Sequence, residues 1–435
     1  MVLVVLLTAA FTLAVDFSIL NVALPVIGAD VGFSLTGLQW IATSFAVCAA
    51  GFTLLFGRVA DLAGRRRLFL YGIALLGASS LAGGLADSPA VLLGARVAQG
   101  LATAAVTPAA LALMTVSFPE GPRRERALGL NGALMAAGFT TGAILGGVLT
   151  DLASWRWAFF VNVIVAVLVL AVAPVVLAES RPAERPRLDV PGAVLVTAGL
   201  VVLAFGTLWS TLLGGLLLVA FGLVERRAAE PLALLPMLRR RTVAWGNLAG
   251  MLAFATETSL VFLLTLDLQQ VRGFTALETG LSFAVLGVGT VLGGILGPRV
   301  IAYLQSPPKA VVLGLTAQAA ATLVLVFPVP LPVLLTATFA GGVANLVAIV
   351  GFMVTATAGL PDGEQGLAAG LATMSQQIGI TLGIPAMSAV VAGTVPALGI
   401  GTALHVAVAV NAALCVLGAL AVRVFLPAAR PAVAV

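Results

Sequence analysis

The chain has 435 residues, 61% hydrophobic and only 9% charged, with a mean hydropathy of +1.16. A soluble domain carries about 25% charged residues, so this composition excludes a water-soluble globule and predicts an integral membrane protein. One His (His405) and two Cys (Cys48, Cys415) exclude a metal cluster, a haem-ligation pattern and a disulfide framework, and the net charge of +5 reflects basic loops kept on one side of a bilayer, not a nucleic-acid partner.

In chain order, apolar runs bounded by charge or by Pro and Gly fall at 3–27, 39–57, 68–86, 90–117, 127–150, 156–178, 190–208, 211–224, 243–268, 276–297, 310–327, 331–356, 365–392 and 400–425. Most are near the ~20 residues a helical span needs, and they lack the alternation of a barrel strand. Fourteen helical spans are predicted. The first 25 residues lack a basic leader and carry an acid in mid-stretch, so they read as the first span and not as a cleaved signal. The eighth run is short. It pairs with the seventh as a hairpin, because the basic residues before it (Arg181, Arg185, Arg187) and after it (Arg226, Arg227, Arg239, Arg240, Arg241) belong on one side, and it can extend through Glu225.

With both termini cytoplasmic, 19 of the 22 basic residues fall in cytoplasmic segments: these eight, Arg58, Arg65, Arg66, Arg67, Arg123, Arg124, Arg126, Arg299, Lys309, Arg423 and Arg430. Arg156 and Arg272 fall outside, and Arg96 lies within a span. This bias predicts the orientation of a multi-pass cell-membrane protein.

The chain also repeats itself. An ungapped shift of 241 residues lays spans 1–6 on spans 9–14. Gly32-Phe33-Ser34 falls on Gly273-Phe274-Thr275, Arg58-Val59 on Arg299-Val300, Gly100 on Gly341, Gly129-Leu130 on Gly370-Leu371, and Gly138 and Gly142 on Gly379 and Gly383. Five glycines coincide in order where about two would by chance. Asp16, near the middle of span 1, falls on Glu257, near the middle of span 9. The repeat predicts an all-α membrane protein of two six-helix bundles plus an inserted two-helix hairpin. Residues 1–180 form the N-terminal bundle, 181–242 the hairpin with its flanking cytoplasmic loops, and 243–435 the C-terminal bundle. Two such bundles can rock about a central site and expose it to either face.

Ionisable groups inside a bilayer are costly and point to function. Asp16 and Glu257 lead: burial disfavours a charged carboxyl, so such a group can take a proton from one side and release it to the other. A permanently paired or hydrogen-bonded acid is the plainer alternative. Asp267, near the outer end of span 9, either joins them or faces water. Arg96 is a partner for Asp16 or for carbonyls of span 1, as a switching group or as a fixed brace. In the loop Gly57-Arg-Val-Ala-Asp-Leu-Ala-Gly-Arg-Arg-Arg67, Gly57 and Gly64 permit a tight turn and Asp61 can pair with Arg65 beside Arg66, forming a latch; otherwise this is a basic loop on the inner side. Gly138, Gly142, Gly146 and Gly147 form a small-residue face for close helix packing. Asn21, Asn131, Asn345, Gln376 and Gln377 can line a cavity or bond helix to helix. His405, Cys48 and Cys415 read as ordinary core residues.

These motifs resemble those of the major facilitator superfamily, most closely its fourteen-span drug:proton antiporters. The segment Gly57–Arg67 is similar to the superfamily's loop signature between spans 2 and 3. Asp16-Phe-Ser-Ile-Leu-Asn-Val-Ala-Leu-Pro25 resembles the span 1 motif, and Leu93-Gly-Ala-Arg96-Val-Ala-Gln99-Gly100 the span 4 motif, whose Arg is implicated in proton transfer. Gly138-Phe-Thr-Thr-Gly142-Ala-Ile-Leu-Gly146-Gly147 resembles the span 5 antiporter motif, followed by Trp155-Arg-Trp-Ala-Phe-Phe-Val-Asn162. The second half matches mainly in layout and in Leu266-Asp-Leu-Gln-Gln-Val-Arg-Gly273. Ala143 stands where the span 5 motif usually has Pro, and Ala302 where the repeat would place a second loop Asp, which leaves the latch one-sided. The resemblance implies a monomeric, cofactor-free, proton-coupled exporter of small hydrophobic or cationic compounds such as antibiotics, with protons, lipid and a small-molecule substrate as its partners. Export of a dedicated metabolite is the second reading. A non-transporting sensor or scaffold is the third, and it would tolerate neutralising both central acids. No nucleophile or metal constellation supports an enzyme.

Overall fold

A computed structural model describes residues 1–34, 37–118, 122–180, 189–203, 208–227, 235–358 and 362–426. Among these every regular element is helical: α1 (Val2–Val31), α2 (Gln39–Ala63), α3 (Arg65–Gly84), α4 (Pro89–Ser117), α5 (Pro122–Leu152), α6 (Trp157–Val176), α7 (Val190–Leu203), α8 (Leu208–Glu225), α9 (Arg241–Leu266), α10 (Ala276–Leu304), α11 (Pro307–Val324), α12 (Leu331–Thr357), α13 (362–398) and α14 (400–425). The last two run together apart from Gly399, whose φ of 75° and ψ of 165° break the helix. Such a conformation suits a residue without a Cβ. Among the described residues fourteen α-helices therefore form, as the apolar runs predict; α1, α2, α5, α10 and α13 extend beyond their runs by a turn or more, whereas α6 ends inside its run. Apolar length measures only the hydrocarbon crossing, whereas a helix continues through its polar ends. Local signals set several boundaries: Pro89, Pro307 and Pro332 stand in the first turns of α4, α11 and α12, where a missing N–H costs no helical hydrogen bond.

Among the described residues eight helical stretches are long and apolar enough to cross a membrane, the last running through the break at Gly399; α2 adds a ninth if its two arms are taken together. α7 and α8 are shorter, and α8 reaches Glu225, four residues more than its apolar run. Large apolar side chains stand exposed throughout, among them Val175, Leu212, Trp209 and Tyr303. Water would not tolerate so much apolar surface, and lipid does. This is a multi-pass membrane protein.

By contact the chain forms two compact units. The first comprises residues 1–232 and 265–284. In it α1 packs on α5 and α6, α2 on α4, and α3 on α4 and α6, while α7 joins α8 and lies on α2. There the Thr197 hydroxyl donates to the Gly51 carbonyl at 2.9 Å. The core of this unit runs from Leu6 through Phe69 and Val106 to Ala173. The second unit comprises 233–264 and 285–435, with a core of Ala253, Leu315, Phe352 and Val422 among others. Arg181, Arg185, Arg187 and Arg430 lie outside the described residues.

The small face of α5 explains how closely it meets α1. A Cβ on Gly138 would strike the Phe11 carbonyl, on Gly142 the Val15 carbonyl and Ser18, and on Gly146 the Ile19 carbonyl. In the second unit Gly379 and Gly383 bear the same relation to the Met251 and Ala255 carbonyls of α9. The sequence repeat is thus a repeat of packing.

Candidate functional site

α1 carries Asp16 into the interior of the first unit at 1% exposure, and α4 brings Arg96 to it, also 1% exposed. The Arg96 guanidinium donates from Nη1 to Asp16 Oδ2 at 3.2 Å and to Gln99 Oε1 at 2.8 Å, and from Nε to the Ile41 carbonyl of α2 at 2.9 Å. Its carbonyl partner is therefore on α2, not α1. Gln99, one turn beyond Arg96 on α4, donates to Asp16 Oδ1 at 3.1 Å and to Ser80 of α3 at 2.8 Å. Asn162 of α6 also donates to Asp16 Oδ1. Phe45 closes one side, its ring centroid 4.3 Å from the guanidinium carbon. One negative and one positive charge thus cancel inside a hydrogen-bond network that draws on five helices, with donors on α4 and α6 and acceptors on α1, α2, α3 and α4, which is the condition for burying an ion pair.

The repeat places Glu257 where Asp16 lies, but its surroundings differ. Arg96, Gln99, Asn162 and Ser80 correspond to Ala337, Ala340, Ala403 and Ala321. Among the described residues Glu257 is only partly exposed and receives neither an ion pair nor a hydrogen bond. In its place the second unit builds an uncharged network. Gln318 donates to Thr256 Oγ1 at 3.1 Å, Asn345 to Gln318 Oε1 at 3.2 Å and to the Ala253 carbonyl at 3.0 Å, and Asn411 to Ser259 Oγ at 2.9 Å and to the Thr256 carbonyl at 3.0 Å. Gln318, Thr256, Ser259 and Asn411 escape sequence reasoning, since isolated polar residues in apolar runs do not announce their partners. Asn21 is buried in α1, Asn131 is partly exposed and reaches only Met135 Sδ at 3.8 Å, and Gln376 and Gln377 are half-buried in α13. Asp267 opens a π-helical turn, Asp267–Val271, and accepts from Arg272 Nε at 2.7 Å.

Between α2 and α3, Asp61 Oδ1 accepts from Arg65 Nε at 3.1 Å and Nη2 at 2.9 Å. Gly64 turns the chain at φ 107°, in the region that favours glycine, and a Cβ there would meet the Glu179 carboxylate. Glu179, just beyond α6, caps α3: its oxygens accept from the backbone N–H of Arg66 at 3.0 Å and of Arg67 at 3.3 Å. Arg66 Nη2 donates to the Pro174 carbonyl. The sequence names the loop's own residues and misses Glu179, because the acid that satisfies these N–H groups is more than a hundred residues away.

Within the first unit, residues 265–284 lie over one end of the α1–α5 seam. Gln269 Nε2 donates to the Val22 carbonyl at 2.6 Å, and Asp151 Oδ2 accepts from the Leu277 N–H at 3.0 Å. Gly147 leaves room for the Ala276 carbonyl, and Gly280 for the Ala143 carbonyl.

A helical, multi-pass protein with repeated bundles and a buried charge network has the build of a secondary transporter. The family model of the Major Facilitator Superfamily matches residues 6–384, and the chain belongs to that superfamily. It is 40% identical over 407 residues to the cephamycin export protein CmcT of Amycolatopsis lactamdurans, covering 88% of this chain and 83% of that one. It is 35% identical over 415 residues to the puromycin resistance protein pur8 of Streptomyces alboniger, covering 91% and 82%. In fold it is similar to a bacterial homologue of the human lysosomal transporter Spinster, with a TM-score of 0.70, 19% identity and coverage of 99% and 98%.

Proposed function

We propose that this protein exports small lipophilic or cationic antibiotic-class compounds from the cell in exchange for protons, by alternating access of two six-helix bundles with both termini cytoplasmic. The observation that carries the reading is the Asp16–Arg96 pair, a buried carboxyl that accepts from Arg96 and Gln99 of α4 and from Asn162 of α6. A proton on Asp16 removes the charge that balances Arg96, and an unbalanced guanidinium in an apolar interior must find new acceptors. Protonation and helix rearrangement are thereby linked. Glu257, without a basic partner among the described residues, supplies the charge for a cationic substrate or a second proton. The curated relatives support the substrate class, since their names give antibiotic export or resistance.

Proteoliposomes test this directly. Asp16→Asn and Glu257→Gln keep size and fix the neutral form; at least one is expected to abolish proton movement driven by substrate, while substrate binding partly survives. Uphill transport by the double variant on an imposed pH gradient would falsify the coupling. Each of these relatives is named for one compound, which favours a second reading, export of a single natural product. A susceptibility panel separates the two: resistance to one scaffold selects the dedicated exporter, and resistance to several selects the broad one.

A further inference from the structure

Both oxygens of Asp16 face donors. Oδ2 accepts from Arg96, and Oδ1 accepts from Gln99 and from Asn162. That arrangement suits a carboxylate, and it offers no acceptor to the O–H that a proton would create. Arg96 carries donors only. Gln99 is committed at both ends, since its Oε1 accepts from Arg96 and its Nε2 serves Asp16 and Ser80. Among the described residues Arg96 is the charged group bonded to Asp16. α2 meets this network with Phe45 and the Ile41 carbonyl, α3 with Ser80, and α5 lies on α1 with Gly138, Gly142 and Gly146.

Asn162 of α6 is different. It is 1% exposed, its Nδ2 donates to Asp16, and among the described residues its Oδ1 accepts from no group. A buried acceptor left unpaired is costly, so such an atom beside a titrating acid calls for a role. Half a turn about the Cβ–Cγ bond exchanges Oδ1 with Nδ2 and aims the uncommitted oxygen at Asp16. The turned amide again has one bonded and one unpaired atom, so the exchange loses no hydrogen bond. Gln99 could turn only by giving up both Arg96 and Ser80.

We propose that Asn162 holds the transported proton on Asp16: its amide donates to the carboxylate, then turns and accepts the O–H of the neutral acid. The proposal rests on the proton-coupled reading above and adds a residue to it. A hydronium ion gives its proton to a carboxylate oxygen, one O–H bond forms, and water is left behind. With that O–H held by Asn162, the acid no longer needs Arg96. The guanidinium keeps Gln99 and the Ile41 carbonyl as acceptors and is free to exchange its third. Asn162 thereby parts the proton from the cation. Loss of the proton turns the amide back and restores the ion pair.

Infrared difference spectra between alkaline and acidic buffer, on the full-length protein in nanodiscs, read both groups with the proton itself as probe. Acidification should bring up a carboxylic-acid band that Asp16→Asn removes. With an isotopic label in the side-chain carbonyl of asparagine, an amide band should shift to lower wavenumber, because a carbonyl that gains an O–H donor is weakened. A fixed donor would move the other way, since its N–H loses a charged acceptor. The downward shift should vanish in Asn162→Leu and in Asp16→Asn. Asn162→Ser, which removes the amide and keeps a polar group, serves where the Leu variant does not fold. An upward shift, no shift, or a downward shift that survives removal of the Asn162 amide overturns the proposal while the Asp16 band stands. Absence of the Asp16 band overturns proton coupling through Asp16 and this proposal with it.

Discussion

Arg96 holds three acceptors at once, and each comes from a different source: a carboxylate on α1, a side-chain amide on α4 and a main-chain carbonyl on α2. Removing one ion of a buried pair leaves the other uncompensated, at a cost of about 3–5 kcal/mol, whereas removing both costs far less. Arg96→Leu is therefore expected to lower thermal stability in detergent steeply, and Asp16→Asn combined with Arg96→Leu to recover much of the loss. Strictly additive melting shifts would mean that the two groups do not depend on each other. Among the described residues Glu257 has no such partner, so Glu257→Gln should leave the melting temperature nearly unchanged. The contrast between two acids at equivalent repeat positions comes down to four alanines, Ala321, Ala337, Ala340 and Ala403, which stand where the first bundle has polar groups.

Helix-to-helix approach is decided by glycines that leave no room for a side chain. Gly142 of α5 faces the Val15 carbonyl and Ser18, whereas Gly94 of α4 has open space where its Cβ would be. Gly94→Ala is expected to be neutral or stabilising by up to about 1 kcal/mol, through helix propensity alone. Gly142→Ala should destabilise, because the new methyl group meets main-chain atoms that cannot rotate away. Equal thermal shifts for the two would show that α5 can slide off α1 at little cost. At the start of α3 the helix is capped from a distance: Glu179 takes two N–H groups that no side chain of the loop satisfies.

For the whole molecule the proposed orientation makes a single prediction. Single cysteines near Arg66, Arg124, Arg185 and Arg240 should all resist a membrane-impermeant thiol reagent applied to intact cells. Labelling of the 181–187 segment from outside would overturn both the orientation and the crossing of α7 and α8 as a hairpin. By contact α7 and α8 group with the first unit, where α7 packs on α2. Residues 265–284 do likewise, although the repeat assigns them to the second bundle.

The amino-acid sequence alone determined that this protein is helical, crosses the membrane many times and carries a repeat at an offset of 241 residues. Hydropathy and charge act residue by residue against the bilayer, so they add up along the chain without knowledge of contacts. It also singled out Asp16, Arg96 and Glu257, because an ion within an apolar run stands out wherever the helix points. Only the tertiary structure decided which groups surround them. A helix that is apolar on every side, as α1 nearly is, can turn about its axis with little change in hydropathy, so its pattern does not say which face meets which neighbour. Gln99, Asn162 and the Ile41 carbonyl became partners of one buried pair, with Ser80 holding Gln99, only when α1, α2, α3, α4 and α6 had packed in one rotation each. The same packing brought Glu179 to the start of α3, and among the described residues it gave Glu257 no counterpart of the Asp16–Arg96 pair.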